Sequence, residues 1–208
     1  MTFARPARTL LTGVAACLAI GLAPGPALAA ATWTIKPGGA ITLGLVRATI
    51  KDTTTADQIT CGSGNLTGTL KSGSGLTGTS AGSITGAAVS PCFGPGPLNW
   101  TITLLDLPWH INLRSYDGST GLVHGTISHM EIRAKGSACR FVVDGTRGGA
   151  SDGRVSFTYS DGTHQVKTSG GNLHIFTVTG CAGVFANGDP VSLTASFTLD
   201  PAQSMTSP

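Results

Sequence analysis

The sequence predicts an all-β domain: an antiparallel β-sandwich or barrel of about ten to twelve short strands, held by two disulfides. Apolar residues alternate with hydroxyl-bearing residues, Asp-Gly and Asn-Gly dipeptides separate the alternating runs, and four cysteines follow the N-terminal leader. These dipeptides favour the positive φ angles of tight hairpin turns. Since no long stretch has helical periodicity, the pattern predicts strands joined by turns.

The clearest strand is the run VSLTASFTL at 191–199, where every second residue is apolar. Such alternation buries one face of a strand and leaves the other in water. In two other runs the apolar set changes parity, after Leu45 and after Leu104. A change of parity turns the buried face over, so each site predicts a β-bulge or bend, with Pro108 interrupting the second ladder. Strands that change face suit a barrel or a strongly bent sandwich.

Residues 1–29 have the pattern of a secretory signal peptide. Two arginines precede an apolar run, and Ala27-Leu28-Ala29 is a small-x-small cleavage site. The alternative is a lipoprotein box at Val14-Ala15-Ala16-Cys17, which would leave a lipid anchor on Cys17. The apolar run is too short, and too interrupted by Gly and Pro, to remain as a membrane span. We therefore expect a secreted, extracellular protein, with a lipoprotein anchored through Cys17 as the alternative.

The mature chain is expected to form a single all-β domain at 30–200, followed by a flexible C-terminal tail at 201–208. Charged residues make up 11% of the sequence, far below the usual ~25%. The net charge of +3 is small and scattered, which argues against a nucleic-acid partner. No stretch of the mature chain is apolar enough for a transmembrane segment, and no motif predicts a cofactor.

The four cysteines of the mature chain are Cys61, Cys92, Cys139 and Cys181. An even number of cysteines in an exported chain predicts disulfides, and four cysteines allow three pairings. The sequential pairing, Cys61–Cys92 and Cys139–Cys181, joins near neighbours and costs least in loop closure. No C-x-x-C or similarly close ligand pair occurs, so we expect structural disulfides and no metal site.

Three patterns that resemble catalytic sites lack the context that catalysis needs. Gly78-Thr-Ser80-Ala-Gly82 fits G-x-S-x-G, but a nucleophile elbow needs a following helix, and the next residues have strand character. A carboxylate pair would require Glu131 to meet Asp106 or Asp144 in one cleft, which nothing in the sequence predicts. His124 and His129 would lie on opposite faces of a regular strand. The sequence therefore predicts no catalytic residue, no enzyme, and Ser80 as a strand or turn hydroxyl.

One set of neighbouring residues is a candidate ligand-binding site. Trp109 could face a small apolar molecule at the mouth of a barrel, with His110 and Arg114 supplying polar contacts. The alternative is that Trp100 and Trp109 pack in the core, since both fall on alternating apolar positions. The sequence leaves both interpretations open.

The two halves of the mature chain share an order of features. Each half contains a cysteine, a Gly/Thr-rich region, a second cysteine, a Gly/Pro-rich bend and an alternating strand. The bend after Cys92 leads to a strand at Trp100, and the bend after Cys181 leads to a strand at Val191. Duplication and convergence of two β-hairpin units under the same turn rules both explain this order.

A series of short motifs spans most of the mature chain: Leu107-Pro-Trp-His110, Asp117-Gly-Ser-Thr-Gly121, Gly125-Thr-Ile-Ser, Ala138-Cys139-Arg-Phe-Val, Thr179-Gly-Cys181-Ala-Gly-Val184 and Gly188-Asp189. In these motifs the chain resembles small secreted proteins of actinobacteria that have no known activity. The resemblance implies a secreted, disulfide-bonded β-protein of bacterial origin, and it carries over no catalytic residue.

The predicted function is a secreted, non-catalytic β-domain with a structural or binding role at or beyond the cell envelope. Its partner would then be a cell-envelope component. The first alternative is a carrier of a small apolar ligand in a β-barrel, and the second is an extracellular hydrolase. A lined cavity beside Trp109 would favour the carrier, whereas acids, or a serine with its base, converging in one cleft would favour the hydrolase.

Overall fold

A computed structural model describes residues 32–95 and 99–208. The predicted signal peptide at 1–29, and Cys17 with it, lies outside the described residues. Within them the chain forms sixteen strands and no helix. The strands are β1 Thr32–Lys36, β2 Gly39–Asp52, β3 Gln58–Cys61, β4 Gly64–Leu70, β5 Gly73–Thr77, β6 Gly82–Val89, β7 Cys92–Phe93, β8 Asn99–Leu105, β9 Trp109–Asp117, β10 Leu122–Lys135, β11 Arg140–Asp144, β12 Gly153–Ser160, β13 Gln165–Ser169, β14 His174–Thr179, β15 Val191–Asp200 and β16 Ser204–Thr206.

The predicted all-β fold class is confirmed. The strands pair antiparallel, and the four cysteines form two disulfides. The strand count exceeds the expected number because several strands are very short, such as β7 and β16. In the described part of the chain, no helix has the length and apolar character needed to span a bilayer.

Eight strands close a ring, which we call the upper ring. Its order is β2, β4, β6, β9, β10, β12, β13, β15 and back to β2. Apolar side chains fill its inside: Leu43 and Ile84 from one wall and Ile127 and Val166 from the other. A closed ring of this size leaves an interior that side chains can just fill.

A second ring, the lower ring, continues from the first along the three long strands β2, β10 and β15. From the C-terminal half of β2 it passes through β3, β7 and β8 to the C-terminal half of β10. It returns through β11 and β14, which meets the start of β15 at the bridge between His174 and Pro190. The two rings therefore stack end to end in one barrel.

The strand pairings of the two halves of the chain correspond one for one. The strand β2 pairs with β4 through its N-terminal half and with β3 through its C-terminal half. In the second half β10 pairs in the same way with β12 and β11. The next pairs, β4–β6 and β3–β7, match β12–β13 and β11–β14. Local turn rules do not dictate such long-range pairing, so the match favours duplication over convergence.

Both predicted bends are present. In β2, Leu45 pairs with Phe197 and Arg47 with Ser196, so Val46 is an extra residue and is 57% exposed. The strands β8 and β9 follow the same edge of β10, and residues 106–108 bulge out between them. A change of parity in the sequence thus marked each point where the strand turns its buried face over.

The C-terminal tail predicted at 201–208 is wrong. Ser204–Thr206 forms β16, which pairs with β1, and Met205 is buried. Gln203 is 2% exposed; its side-chain oxygen accepts a hydrogen bond from the Gly38 amide at 2.8 Å. The segment docks because the Gln203 amide and the Met205 thioether are buried. Two buried residues are too few for an alternating pattern to be recognised in the sequence. The domain therefore continues past residue 200.

Both disulfides form with the predicted pairing, and both belong to the lower ring. Cys61 and Cys92 face each other across β3 and β7, and Cys139 joins Cys181 beside the β11–β14 pair. Each closes a loop whose restriction is worth about 4 kcal/mol in the chain-entropy account. Trp100, Phe141 and Phe185 pack together inside this ring, with centroid distances of 4.6 to 5.8 Å.

Candidate functional site

Trp109 lies inside the barrel, where it lines a cavity of about 80 Å³. The lining is apolar except for Thr168, whose hydroxyl donates to the Leu193 carbonyl at 3.4 Å. The indole N–H of Trp109 donates to the Leu105 carbonyl at 2.9 Å. Since this backbone contact satisfies its polar atom, Trp109 offers the cavity only carbon surface.

The free space inside the barrel is small. A second cavity, of about 30 Å³, lies beside Tyr159 and Met205 and shares several lining residues with the first. An engineered apolar cavity of about 150 Å³ is needed to admit benzene, and sites for drug-sized ligands measure about 300–1,000 Å³. Side chains therefore fill most of the interior.

The candidate set of Trp109, His110 and Arg114 does not converge. Trp109 is buried on the inner face, whereas the next residue, His110, points to the outer face and Arg114 is exposed. The prediction of one joint site is wrong because adjacent residues of a strand point to opposite faces. The polar members cannot reach the cavity that Trp109 lines.

His110 meets a different histidine on the outer face. Its ring lies against that of His129, with centroids 4.7 Å apart and an interplanar angle of 74°. His129 has a φ of 62° at a bulge in β10, and its Nδ1 is 3.4 Å from the Ser128 hydroxyl. The predicted opposition of His124 and His129 assumed a regular strand, and the bulge between Ser128 and Met130 removes that regularity.

Ser80 lies in the turn between β5 and β6, so a strand rather than a helix follows it. Its backbone N–H donates to the Asn112 side chain at 2.9 Å. Ser80 and His110 both border a shallow groove of about 230 Å³. Among the described contacts, no hydrogen bond joins the Ser80 hydroxyl to an imidazole, so the geometry supports the predicted turn role.

Two carboxylates do meet, at the bend between β8 and β9. Asp106 in that bend and Glu131 on β10 both accept hydrogen bonds from the Ser151 hydroxyl, the second at 3.4 Å. Buried Asp144 holds the loop that carries Ser151, because its Oδ2 accepts the Ala150 and Ser151 amides at 3.1 and 3.2 Å. A buried carboxyl group therefore holds the Ser151 hydroxyl between the two acids.

The pKa values of the two acids move apart. Burial raises the pKa of Glu131, and a hydrogen bond with Asp106 and the charges of Asp106 and Asp144 raise it further. Hydrogen bonds from Ser151 and Glu131 lower the pKa of Asp106. Glu131 therefore keeps its proton to a higher pH than Asp106 does, and two acids whose pKa values are separated in this way can serve general acid–base chemistry.

This acid pair is not placed for glycoside hydrolysis. The two carboxyl groups share the Ser151 hydroxyl as a hydrogen-bond partner, whereas glycosidases hold theirs about 5–9 Å apart on either side of a cleft. Asp106 is exposed at the bend, and neither acid lines the cavities or the groove described above. Within residues 32–95 and 99–208, no group of three or more His, Cys, Asp or Glu side chains is arranged to hold a metal ion.

Cations and carboxylates are distributed differently over the barrel. Every lysine and arginine of the described residues is exposed, whereas most of the acids are half-buried or buried in turns. The one ion pair found in that part of the chain joins Arg147 to Asp152 at 3.2 Å. Most cations of the described outer surface therefore have no ion-pair partner, which the small net charge of the sequence did not reveal.

Comparison with known proteins finds no matching family model, no similar curated protein and no similar solved structure. The resemblance to small secreted actinobacterial proteins therefore stays a prediction.

Proposed function

We propose that the mature chain acts outside the cell as a non-catalytic β-barrel protein, with a structural or binding role at or beyond the cell envelope. The filled interior carries this proposal. With free volumes of only about 80 and 30 Å³ inside the barrel, the part of the chain that the structure describes leaves little room inside for a substrate. Any partner is therefore met on the outer face.

Two further observations support export of the chain. The leader has a positive n-region, an apolar core and a small-residue cleavage site. Both disulfides join cysteines of the mature part, and such bonds persist in oxidising compartments. A bacterial, and specifically actinobacterial, source is part of the same proposal.

Native mass spectrometry of protein purified from a culture supernatant tests this proposal. We expect a chain that begins just after Ala29 or Ala30, four hydrogens lighter than the reduced mass because of two disulfides, with no lipid and no retained ligand. A lipid on Cys17 would show that the chain is anchored to a membrane and not freely secreted. A copurifying apolar molecule would show that the barrel acts as a carrier and not through its outer face.

The carrier remains the first alternative because the cavity beside Trp109 is apolar. Filling about 80 Å³ recovers about 2 kcal/mol at about 24 cal/mol per Å³. Such a contribution gives only weak binding of a molecule of a few heavy atoms. Binding of xenon or a small hydrocarbon can be followed by the chemical shifts of methyl groups beside Trp109. A strong complex with a larger lipid would contradict the conclusion that the cavity is too small for one.

An extracellular hydrolase is the second alternative, and the acid pair of Asp106 and Glu131 is the observation that favours it. A mixed panel of ester, peptide and glycoside substrates tests it with wild type and Glu131→Gln. We expect equal background rates for both proteins, because the pair sits on an exposed bend. Turnover that the substitution abolishes would establish catalysis.

A further inference from the structure

Two cations face each other on the outside of the lower ring. Lys135 is the last residue of β10 and pairs directly with Arg140, the first residue of β11. Their neighbours Ala134 and Phe141 are buried, so alternation directs the Lys135 and Arg140 side chains outward, where both are exposed. Directly opposed residues on one face of a sheet have Cβ atoms only about 5 Å apart.

These side chains border a concave site, which we call the basic pocket: the turn at 136–139 together with Lys135, Arg140 and Thr179. Its volume is about 190 Å³. The Gly136 amide donates to the Cys139 carbonyl at 2.7 Å and closes the turn. The Cys139–Cys181 disulfide ties the same turn to the segment after β14. The walls of the pocket are therefore fixed before any ligand arrives.

Within residues 32–95 and 99–208, no carboxylate forms an ion pair with the cations of the basic pocket. Like charges that face each other across a pair of strands destabilise the sheet. Arg133, two residues before Lys135 and opposite Thr103, adds a third exposed cation to the same face. Among the described residues, the one ion pair found is Arg147–Asp152, so it does not neutralise this face.

The fold itself does not require this opposition of charges. The equivalent position of the first half is the last pair of β2 and β3, where Lys51 faces the neutral amide of Gln58. The groove beside that pair also contains Asp57. The same topology therefore carries one cation and a nearby acid in one half, and two opposed cations in the other.

We propose that the basic pocket binds an oxyanion of the phosphate class. The Lys135 ammonium and the Arg140 guanidinium would hold it between them, and the Thr179 hydroxyl lies at the same pocket as a further donor. Guanidinium groups match the geometry of phosphate oxygens, and an ammonium adds a point charge. This inference deepens the proposed function by naming the ligand chemistry of the binding role. A free phosphate ion and a phosphate group on a larger molecule share this chemistry.

Titration of the ¹⁵N-labelled mature chain with inorganic phosphate, at constant ionic strength against sodium chloride, tests the proposal. We expect saturable amide shifts at 135–140 and 179. Lys135→Gln and Arg140→Gln should each weaken binding about fivefold to tenfold. The matched control Lys51→Gln should leave it unchanged. Equal shifts in wild type and both pocket variants, or equal effects of phosphate and chloride, would overturn the proposal.

A stability readout keeps the test independent of ligand detection. Without phosphate at low ionic strength, Arg140→Gln should raise Tm, because it removes the repulsion from Lys135, and added salt should abolish the difference. Phosphate should raise the Tm of wild type more than that of the variant. A lower Tm for Arg140→Gln at low ionic strength would contradict the argument from charge.

A second anion separates a phosphodiester ligand from a free phosphate ion or a phosphate monoester. Dimethyl phosphate, which presents a diester with one negative charge, should bind as well as inorganic phosphate if the natural ligand is a phosphodiester group. Clearly weaker binding assigns a free phosphate or a monoester. Failure of both anions overturns the inference and leaves the proposed function standing, since that is judged by the mass of the secreted chain. A retained apolar ligand inside the barrel would overturn the proposed function without affecting the titration.

Discussion

Replacing Tyr159 by phenylalanine removes a single oxygen atom that anchors the C-terminal strand. The Tyr159 hydroxyl donates to the Gln203 carbonyl at 2.6 Å and accepts from the Gln203 amide at 3.2 Å. The two residues are 1% and 2% exposed, so water cannot replace either contact in the variant. Tyr159→Phe therefore leaves a buried donor and a buried acceptor without partners.

Each buried polar group left unsatisfied costs about 1–3 kcal/mol. Allowing for partial relaxation of the strand, we expect Tyr159→Phe to lower the free energy of unfolding by about 2–3 kcal/mol. For a domain of this size that corresponds to a Tm lower by about 4–10 °C. The amides of Ser204–Thr206 should also exchange faster with solvent, because β16 is the element that loses its anchor.

Urea unfolding of wild type, Tyr159→Phe and Tyr116→Phe measures this effect. The protein has two tyrosines, and Tyr116 is the matched control because its hydroxyl makes no hydrogen bond among the described contacts. Its replacement should change stability by less than about 0.5 kcal/mol. A Tyr159→Phe variant as stable as the Tyr116→Phe control would show that the Tyr159 hydroxyl does not anchor Gln203.

Three other predictions concern the acid pair, a glycine in the sheet and a disulfide. The pKa of Glu131 is raised, so the folded protein binds this proton more tightly than the unfolded chain does. The folded state therefore loses stability as the pH rises from the unfolded pKa through the raised one. Thermal unfolding from acid to neutral pH should show that Glu131→Gln removes this loss. Gly125→Ala should cost about 1–3 kcal/mol in chemical denaturation, because a Cβ there would collide with the Phe157 ring and the backbone of a neighbouring strand. Replacing Cys139 and Cys181 by alanine should lower the unfolding free energy by about 4 kcal/mol, as measured in urea.

Each of these three predictions has a result that contradicts it. A parallel dependence of Tm on pH in wild type and Glu131→Gln would show that the carboxyl is not perturbed. Gly125→Ala at wild-type stability would mean that the strands yield without cost, and Gly162→Ala, where a Cβ meets no atom within 4 Å, is the control. An unchanged urea midpoint without the second disulfide would show that the unfolded chain is not restricted by it.

The features that the sequence predicted are those set by neighbouring residues. Alternation identified the strand at Val191, and a change of parity marked the bulge at Val46, because both follow from which face of one strand is buried. The cysteine pairing followed from loop-closure entropy. Alternation alone could also have separated Trp109 from His110, since adjacent residues point to opposite faces.

The features that the sequence did not predict depend on distant segments. Asp106, Glu131 and Ser151 meet only because the β8–β9 bend and the β11–β12 loop both lie beside the bulge within β10. The opposition of Lys135 and Arg140 requires the register of β10 with β11. The docking of Gln203 depends on Tyr159, 44 residues earlier. None of these partners can be found from spacing, because pairing order and register are properties of the whole barrel.

The exchange of strands between the halves has a consequence for assembly. The strands β8 and β9 of the first half pair with β10 of the second, and β15 of the second half pairs with β2 of the first. A half-length chain would therefore leave both sheet edges open, and a second copy would close them around a two-fold axis. In the single chain each half covers the open edge of the other, so a cut in the turn at 118–121 should yield two fragments that remain associated.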